Sequence, residues 1–142
     1  MSLDEILENF SYLDDWDDRY RYLIELGRAL EPLDKDAYND RNKVRGCASQ
    51  VWLVTNVETD AGGAPLMIFK GDSDAHIVRG LVALVLAIYS GQTADRVVAT
   101  DAQGRFKTLG LSTHLTPQRS NGLRSMVERI KTEARTAAAN VA

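Results

Sequence analysis

Ten of the twelve residues from Ile77 to Ile88 are apolar, and the two exceptions, Arg79 and Gly80, stand side by side near the start of the run. Wound into a helix, such a run is hydrophobic around most of its circumference, so it has to be covered on most sides. It is too short for the roughly 20 residues that span a bilayer. The pattern therefore predicts a central core helix from about Asp74 to Tyr89, capped by Ser73 and closed by Gly91. The rest of the chain must wrap it. A chain of 142 residues is long enough to bury roughly 68% of its unfolded surface without a metal or disulfide staple.

The wrapping elements are legible on both sides. Ser2 and Glu5 fit a capping box that opens a short helix through about Asn9. Asp15 and Asp18 fit a second start. Leu13, Trp16, Tyr20, Leu23, Ile24, Gly27 and Leu30 then recur three and four residues apart, one buried face of a helix that Pro32 ends. Glu31 to Asn42 is polar and reads as a loop. Val51 to Val57 is rich in β-branched and aromatic residues and reads as a strand. Thr59 to Pro65 is turn chemistry, and Leu66 to Phe69 is the returning strand. Lys43-Val44-Arg45 is the expected short third strand. Thr93 starts a short helix through Val98. Thr116 and Pro117 open the last helix, with Leu123, Met126, Val127, Ile130 and Ala134 as its inner stripe. Trp16 and Trp52 read as core residues. With no repeat, low-complexity segment or linker, the expectation is one domain over residues 1–142. Its class is α+β, a small three-stranded antiparallel sheet packed by helices from the N- and C-terminal sides.

Charge and cysteine usage narrow the function. Against 20 Asp and Glu stand 17 Lys and Arg, a net charge of -3, which disfavours nucleic acid as a partner. Residues 1–36 hold 11 acidic and 4 basic side chains, read either as the solvated faces of amphipathic helices or as an acidic docking surface. Met1-Ser2-Leu3-Asp4-Glu5 lacks the basic-then-apolar start of a secretory signal. No membrane role and a cytoplasmic location are expected. The single cysteine, Cys47, excludes an intramolecular disulfide. It is also too few thiols for a structural zinc site or an iron–sulfur cluster. His76 and His114 lie at no metal-ligand spacing from it, so no metal is expected.

Cys47 is nevertheless the residue with chemistry. It follows Gly46, which permits a tight bend and close approach, and lies downstream of Arg41, Lys43 and Arg45, cations of the kind that favour a thiolate. A small buried hydrophobe is the bland alternative. Solitude suits a persulfide: a neighbouring thiolate would attack the inner sulfur of Cys-S-SH and expel sulfide, and here there is none. His114 or His76 could serve as the base of a cysteine hydrolase, although spacing alone brings neither to Cys47. Gly71-Asp72-Ser73-Asp74 is too acidic for a phosphate-binding turn. Arg119 falls in the first turn of the last helix, where the dipole disfavours a cation, a placement read either as inviting an anionic partner such as a carboxylate or persulfide or as a plain surface arginine.

Gly46-Cys47-Ala48-Ser49-Gln50-Val51-Trp52 resembles the signature loop of the SufE family of sulfur acceptors in iron–sulfur cluster assembly. Gly71-Asp72-Ser73-Asp74-Ala75 with Ile77-Val78 and Gly80-Leu81 resembles its second block. His114-Leu115-Thr116-Pro117, Arg119-Ser120 and Gly122-Leu123 resemble its third, and Ile24-Glu25-Leu26-Gly27 also recurs. The blocks keep their order over nearly the whole chain. The resemblance implies a fold like that of the IscU-type scaffolds without their cluster ligands. It implies that Cys47 takes persulfide sulfur from a PLP-dependent cysteine desulfurase of the SufS or CsdA type, stimulates that enzyme, and passes the sulfur to the SufBCD scaffold complex. PLP then belongs to the desulfurase, and this chain needs no cofactor. The resemblance also implies a sheltered cysteine that swings out on docking, a possible homodimer, and supporting or partner-contact roles for Arg45, Gly46, Ser49, Gln50, Trp52, Asp74 and Arg119. One departure stands out: the family commonly has Gln after the cysteine, where this chain has Ala48. The alternatives are a non-catalytic regulatory module of a desulfurase and the Cys-His hydrolase.

Overall fold

The computed structural model describes residues 2–140; residues 1, 141 and 142 of the expected 1–142 domain lie outside those described. Two helices come first, α1 (Leu3–Ser11) and α2 (Trp16–Arg28), followed by a 3-10 turn at Lys35–Ala37. Strands β1 (Val51–Thr59) and β2 (Pro65–Ser73) lead into α3 (His76–Tyr89). A two-residue β3 (Gln92–Thr93) precedes α4 (Ala94–Ala99), α5 (Ala102–Thr108), α6 (Leu111–His114) and the long α7 (Pro117–Ala139). The sheet is antiparallel in the order β1-β2-β3, so the α+β class with three strands is as expected.

The apolar run forms α3 and lies at the centre. Val78, Leu81, Val82, Leu84, Val85, Ile88 and Tyr89 are buried around its circumference. Tyr89 is wholly enclosed, and its hydroxyl donates to the Thr100 carbonyl at 3.1 Å, which satisfies the one polar atom that the ring carries inward. The sheet turns Val51, Leu53, Met67 and Phe69 into the same core. From the other side comes the stripe of α7, with Leu123, Met126, Val127, Ile130 and Ala134 all buried.

Helix α2 crosses α3 at backbone contact. A Cβ on Gly27 would lie 2.7 Å from the Gly80 backbone N, and one on Gly80 would run into the Leu23 carbonyl. The glycine that interrupts the apolar run is therefore the point of closest helix approach.

Several boundaries differ from the sequence pattern, each for a local reason. The third strand is β3, whose Thr93 and Gln92 pair with Leu66 and Met67. The expected strand Lys43–Arg45 reduces to a single bridge, Lys43 to Trp52, because Gly46 turns the chain away at φ 90°. Strand β2 continues through Ser73, opposite Val51, so Ser73 is a strand residue and α3 starts after Ala75 without a side-chain cap. Ser73 Oγ instead donates to the Gln50 carbonyl at 2.7 Å and accepts from Ala75 N at 3.3 Å. Helix α2 stops at Arg28, leaving Leu30 outside it; Arg28 is the residue whose carbonyl Pro32, lacking an N–H, cannot serve. Helices α5 and α6 had no counterpart in the sequence pattern. Trp52 points away from the core and packs edge-on against Tyr38, ring centroids 5.0 Å apart.

The helix crossing leads to a prediction. Gly80→Ala overpacks the α2–α3 contact and should lower unfolding free energy by about 1–3 kcal/mol, read as a lower urea midpoint at unchanged slope.

Candidate functional site

Cys47 sits at the tip of a short hairpin loop. Its stem is closed by two backbone bonds, Val44 N to the Val51 carbonyl and Leu53 N to the Asn42 carbonyl, both 2.8 Å. The tip is pinned on its C-terminal side to the β2–α3 corner. Asp74 accepts from Gln50 N at 3.0 Å and from Gln50 Nε2 at 3.4 Å, while Asp74 N donates back to the Gln50 carbonyl at 3.2 Å. Those two residues thus brace the loop, and Ser73 adds its bond to the same carbonyl.

On the N-terminal side the turn needs glycine at position 46. Its φ of 90° is left-handed, and a Cβ there would lie 2.5 Å from Ser125 Oγ. The next residue lies against α7. Cys47 is half-buried, and its thiol donates to the Gly122 carbonyl with Sγ 3.5 Å away. Beside it opens a cavity of about 220 Å³ whose wall includes Cys47, Ala48 and Ser49 from the loop, Val78 and Leu81 from α3, and Arg119 from α7. Arg119 stands in the first turn of α7, where Thr116 Oγ1 accepts from its backbone N at 3.3 Å.

Burial pushes the Cys47 thiol above its ordinary value. The expectation that Arg41, Lys43 and Arg45 favour the thiolate does not hold in this conformation. Arg45 is exposed on the loop, and Arg41 and Lys43 turn their carbonyls toward α7 (Arg129 donates to both). No histidine lines the cavity. His114 stacks on Trp16, ring centroids 3.9 Å apart, with Nδ1 3.1 Å from the Gly110 carbonyl. Among the described residues no cluster of three or more His, Cys, Asp or Glu is arranged to hold a metal ion.

Residues 4–134 match the family model of SufE, described as the Fe-S metabolism associated domain. The chain belongs to the SufE family. An uncharacterized SufE-like protein of Rhizobium etli is 59% identical over 138 residues, covering 97% of this chain and 93% of that protein. A second, from Rhizobium meliloti, is 56% identical over 133 residues, covering 94% of each. The solution structure of a hypothetical protein from Thermus thermophilus superposes with a TM-score of 0.73 at 22% identity, over 96% of this chain and 98% of that one, so the fold is shared. Membership associates the chain with iron–sulfur metabolism, and no helix among the described residues is long and apolar enough to cross a membrane.

The SufE motif residues fall into two groups in space. Cys47, Ser49 and Arg119 meet at the cavity, with Gly46 beside them against Ser125, and Gln50 and Asp74 form the brace behind it. Trp52 stands apart, joined through Tyr38 to Asp72, whose Oδ2 accepts from the Tyr38 hydroxyl at 2.6 Å. Sequence reasoning missed Gly122 as the floor beneath the thiol and Ser125 as the neighbour of Gly46. Their spacing of three on α7 was visible, but nothing in the sequence paired that face with the loop.

The raised thiol predicts a pH profile. Alkylation of Cys47 by iodoacetamide in the folded protein should be slower at neutral pH than in urea and should inflect at higher pH. Between the unfolded and folded values the native state holds the extra proton, so this group's contribution to stability falls as pH rises through that window. Identical inflections in the two states would show that burial does not govern the thiol.

Proposed function

We propose that the chain is a sulfur acceptor that takes persulfide sulfur onto Cys47 from a PLP-dependent cysteine desulfurase of the SufS or CsdA type. It then delivers that sulfur to a SufBCD-type scaffold, in the cytoplasm. PLP is the desulfurase's cofactor; this chain contributes a thiol and a docking surface. The observation that supports the reading best is the setting of the one cysteine: half-buried at the tip of a loop, at the wall of an open cavity with an arginine beside it.

The transfer balances without an added oxidant or reductant. Cys47 thiolate attacks the outer sulfur of the donor's Cys-S-SH. The new S–S bond forms as the donor's S–S bond breaks, and the donor cysteine leaves as its thiolate. The outer sulfur keeps its proton, giving Cys47-S-SH. Attack needs the thiolate and an in-line approach, and burial against Gly122 withholds both. The reading therefore includes a loop movement on docking that takes Sγ off the Gly122 carbonyl and into a wetter setting. Shelter between encounters protects an oxidisable group.

The regulatory-module alternative keeps stimulation of the desulfurase but assigns Cys47 no chemistry. The hydrolase alternative loses its base, since His114 is engaged with Trp16 and Gly110 and no histidine lines the cavity.

Incubation with active desulfurase and cysteine should add one sulfur to Cys47, seen by mass spectrometry and absent in Cys47→Ser. That variant should fold normally and lose stimulation of the desulfurase. An unmodified wild-type chain beside a turning-over desulfurase rules the acceptor out, and full stimulation by Cys47→Ala favours the regulatory module.

A further inference from the structure

The N-terminal stem of the Cys47 loop is held by a contact that the acceptor reading does not use. Residues 41–44 precede β1 with only the Lys43 bridge as regular pairing, so their carbonyls must find partners elsewhere. Arg129 of α7 supplies two. Its guanidinium donates to the Arg41 carbonyl at 2.8 Å and to the Lys43 carbonyl at 3.2 Å, while its Nε donates to Glu133 Oε1 at 3.0 Å, one turn along the helix. The Arg129 and Glu133 side chains are only 26% and 33% exposed. Partial burial and full charge place the bonds to the Lys43 carbonyl and Glu133 above an ordinary surface pair, and the bond to the Arg41 carbonyl, though exposed, shares the same charged fork.

The contact belongs to a series. Gly122, Ser125 and Arg129 recur three and four residues apart, on one face of α7. They meet, in order, Cys47, Gly46 and the 41–43 stem. Residues 41–47 therefore run antiparallel along α7, with the thiol at one end and the arginine fork at the other. Beyond the thiol, Gln50 is tied to Asp74 and Ser73. Both sides of the loop are anchored, and residues 46–49 lie between the anchors.

We propose that Arg129, oriented by Glu133, is a positioning residue for Cys47: it fixes the N-terminal stem to α7, so that only the loop tip leaves the helix when the thiol is presented. A planar fork suits the task. It reaches two carbonyls and a carboxylate at once, which a lysine ammonium on a flexible stem does not. The consequence for sulfur transfer rests on the acceptor reading; the consequence for thiol exposure does not.

The charge of Arg129 and its anchoring make opposite predictions, which gives the test its direction. The charged group on the cavity wall is Arg119 of α7; α3 contributes the apolar Val78 and Leu81, and Arg45 is on the loop itself. Removing a cation from this neighbourhood would only hold the thiol protonated longer and slow its reaction. Releasing the stem would uncover the thiol and speed it.

Iodoacetamide alkylation is followed across pH in wild type, Arg129→Ala, Arg129→Lys and Glu133→Gln, each checked for folding by urea midpoint. Arg129→Ala should react about tenfold faster at neutral pH, the equivalent of losing one charge-assisted hydrogen bond, with its inflection moved down toward an ordinary thiol. Arg129→Lys should recover part of the shelter, and Glu133→Gln should shift in the same direction as Arg129→Ala by less. Unchanged or slower alkylation in Arg129→Ala and Glu133→Gln overturns the proposal. If Arg129→Ala fails to fold, Arg129→Lys and Glu133→Gln decide the matter on the same criterion. Sulfur loading by desulfurase is then compared: the Arg129→Ala variant should load several-fold more slowly despite its more reactive thiol, because the tip is no longer held in register. Equal loading confines Arg129 to shelter and overturns its positioning role. Absence of loading in wild type sinks the acceptor reading but leaves the alkylation result standing.

Discussion

Helix α3 reaches the centre of the molecule because α2 can approach it to backbone contact at Gly27 and Gly80. With side chains at those positions the helices would stand further apart, and the apolar circumference of α3 would lose one of its covers. The site depends on that placement. The cavity beside Cys47 has α3 as one wall, through Val78 and Leu81, and α7 as another, through Arg119 and Gly122. The loop hangs from the corner where β2 turns into α3. An interior this closely packed transmits small displacements rather than absorbing them, and α3 carries both the crossing at Gly80 and the cavity wall at Val78 and Leu81.

The same corner explains the second interruption of the apolar run. Arg79 lies 2.8 Å from Asp72 Oδ1, an ion contact whose N–H is directed off the hydrogen-bond line. Asp72 Oδ1 also accepts from Ser73 N at 2.8 Å, and Oδ2 accepts from the Tyr38 hydroxyl. That hydrogen bond to a carboxylate, with burial second, holds the Tyr38 phenol above its ordinary value. Asp72, Ser73 and Asp74 therefore have divided tasks. The first is tied to Arg79 and Tyr38, and the other two hold Gln50 and so the C-terminal side of the Cys47 loop. A run of polar residues that reads as a helix cap is a joint between sheet, core helix and loop.

What was legible in the sequence follows from the range of the forces involved. Periodicity is local, so α1, α2, α3 and α7 were readable, as was the β1–β2 hairpin, whose turn lies between its strands. The N-caps Ser2, Asp15, Thr93 and Thr116 were also local and stand where expected. Strand β3 was not, because two residues carry no periodicity and their pairing with Leu66 and Met67 is set by how α3 returns the chain. Helices α5 and α6 are too short to show an amphipathic stripe. At the site, Cys47, Gly46 and the Gln50–Asp74 brace came from motif residues. Ser125, Arg129 and Glu133 did not, since an arginine on a helix looks the same in sequence whether it meets water or two loop carbonyls.

Burial of the thiol and its proposed chemistry pull in opposite directions, and the geometry shows where they can be reconciled. A thiol held against the Gly122 carbonyl is a poor nucleophile, since burial disfavours the thiolate and the carbonyl takes up its proton's direction. Reactivity then depends on leaving α7, and the cost of leaving is small where the contacts are weak. The Sγ–carbonyl bond at 3.5 Å is such a contact. The charge-assisted bonds of Arg129 and the paired bonds of Gln50 with Asp74 are stronger and lie on either side of it. Motion is thereby concentrated on Gly46, the residue with the fewest steric limits on its backbone, and on the three that follow it. In the proposed relay, a partner that competed for the thiol and for the Arg119 side of the cavity would have only this short tip to move, and the ordering entropy of a larger segment would not be incurred.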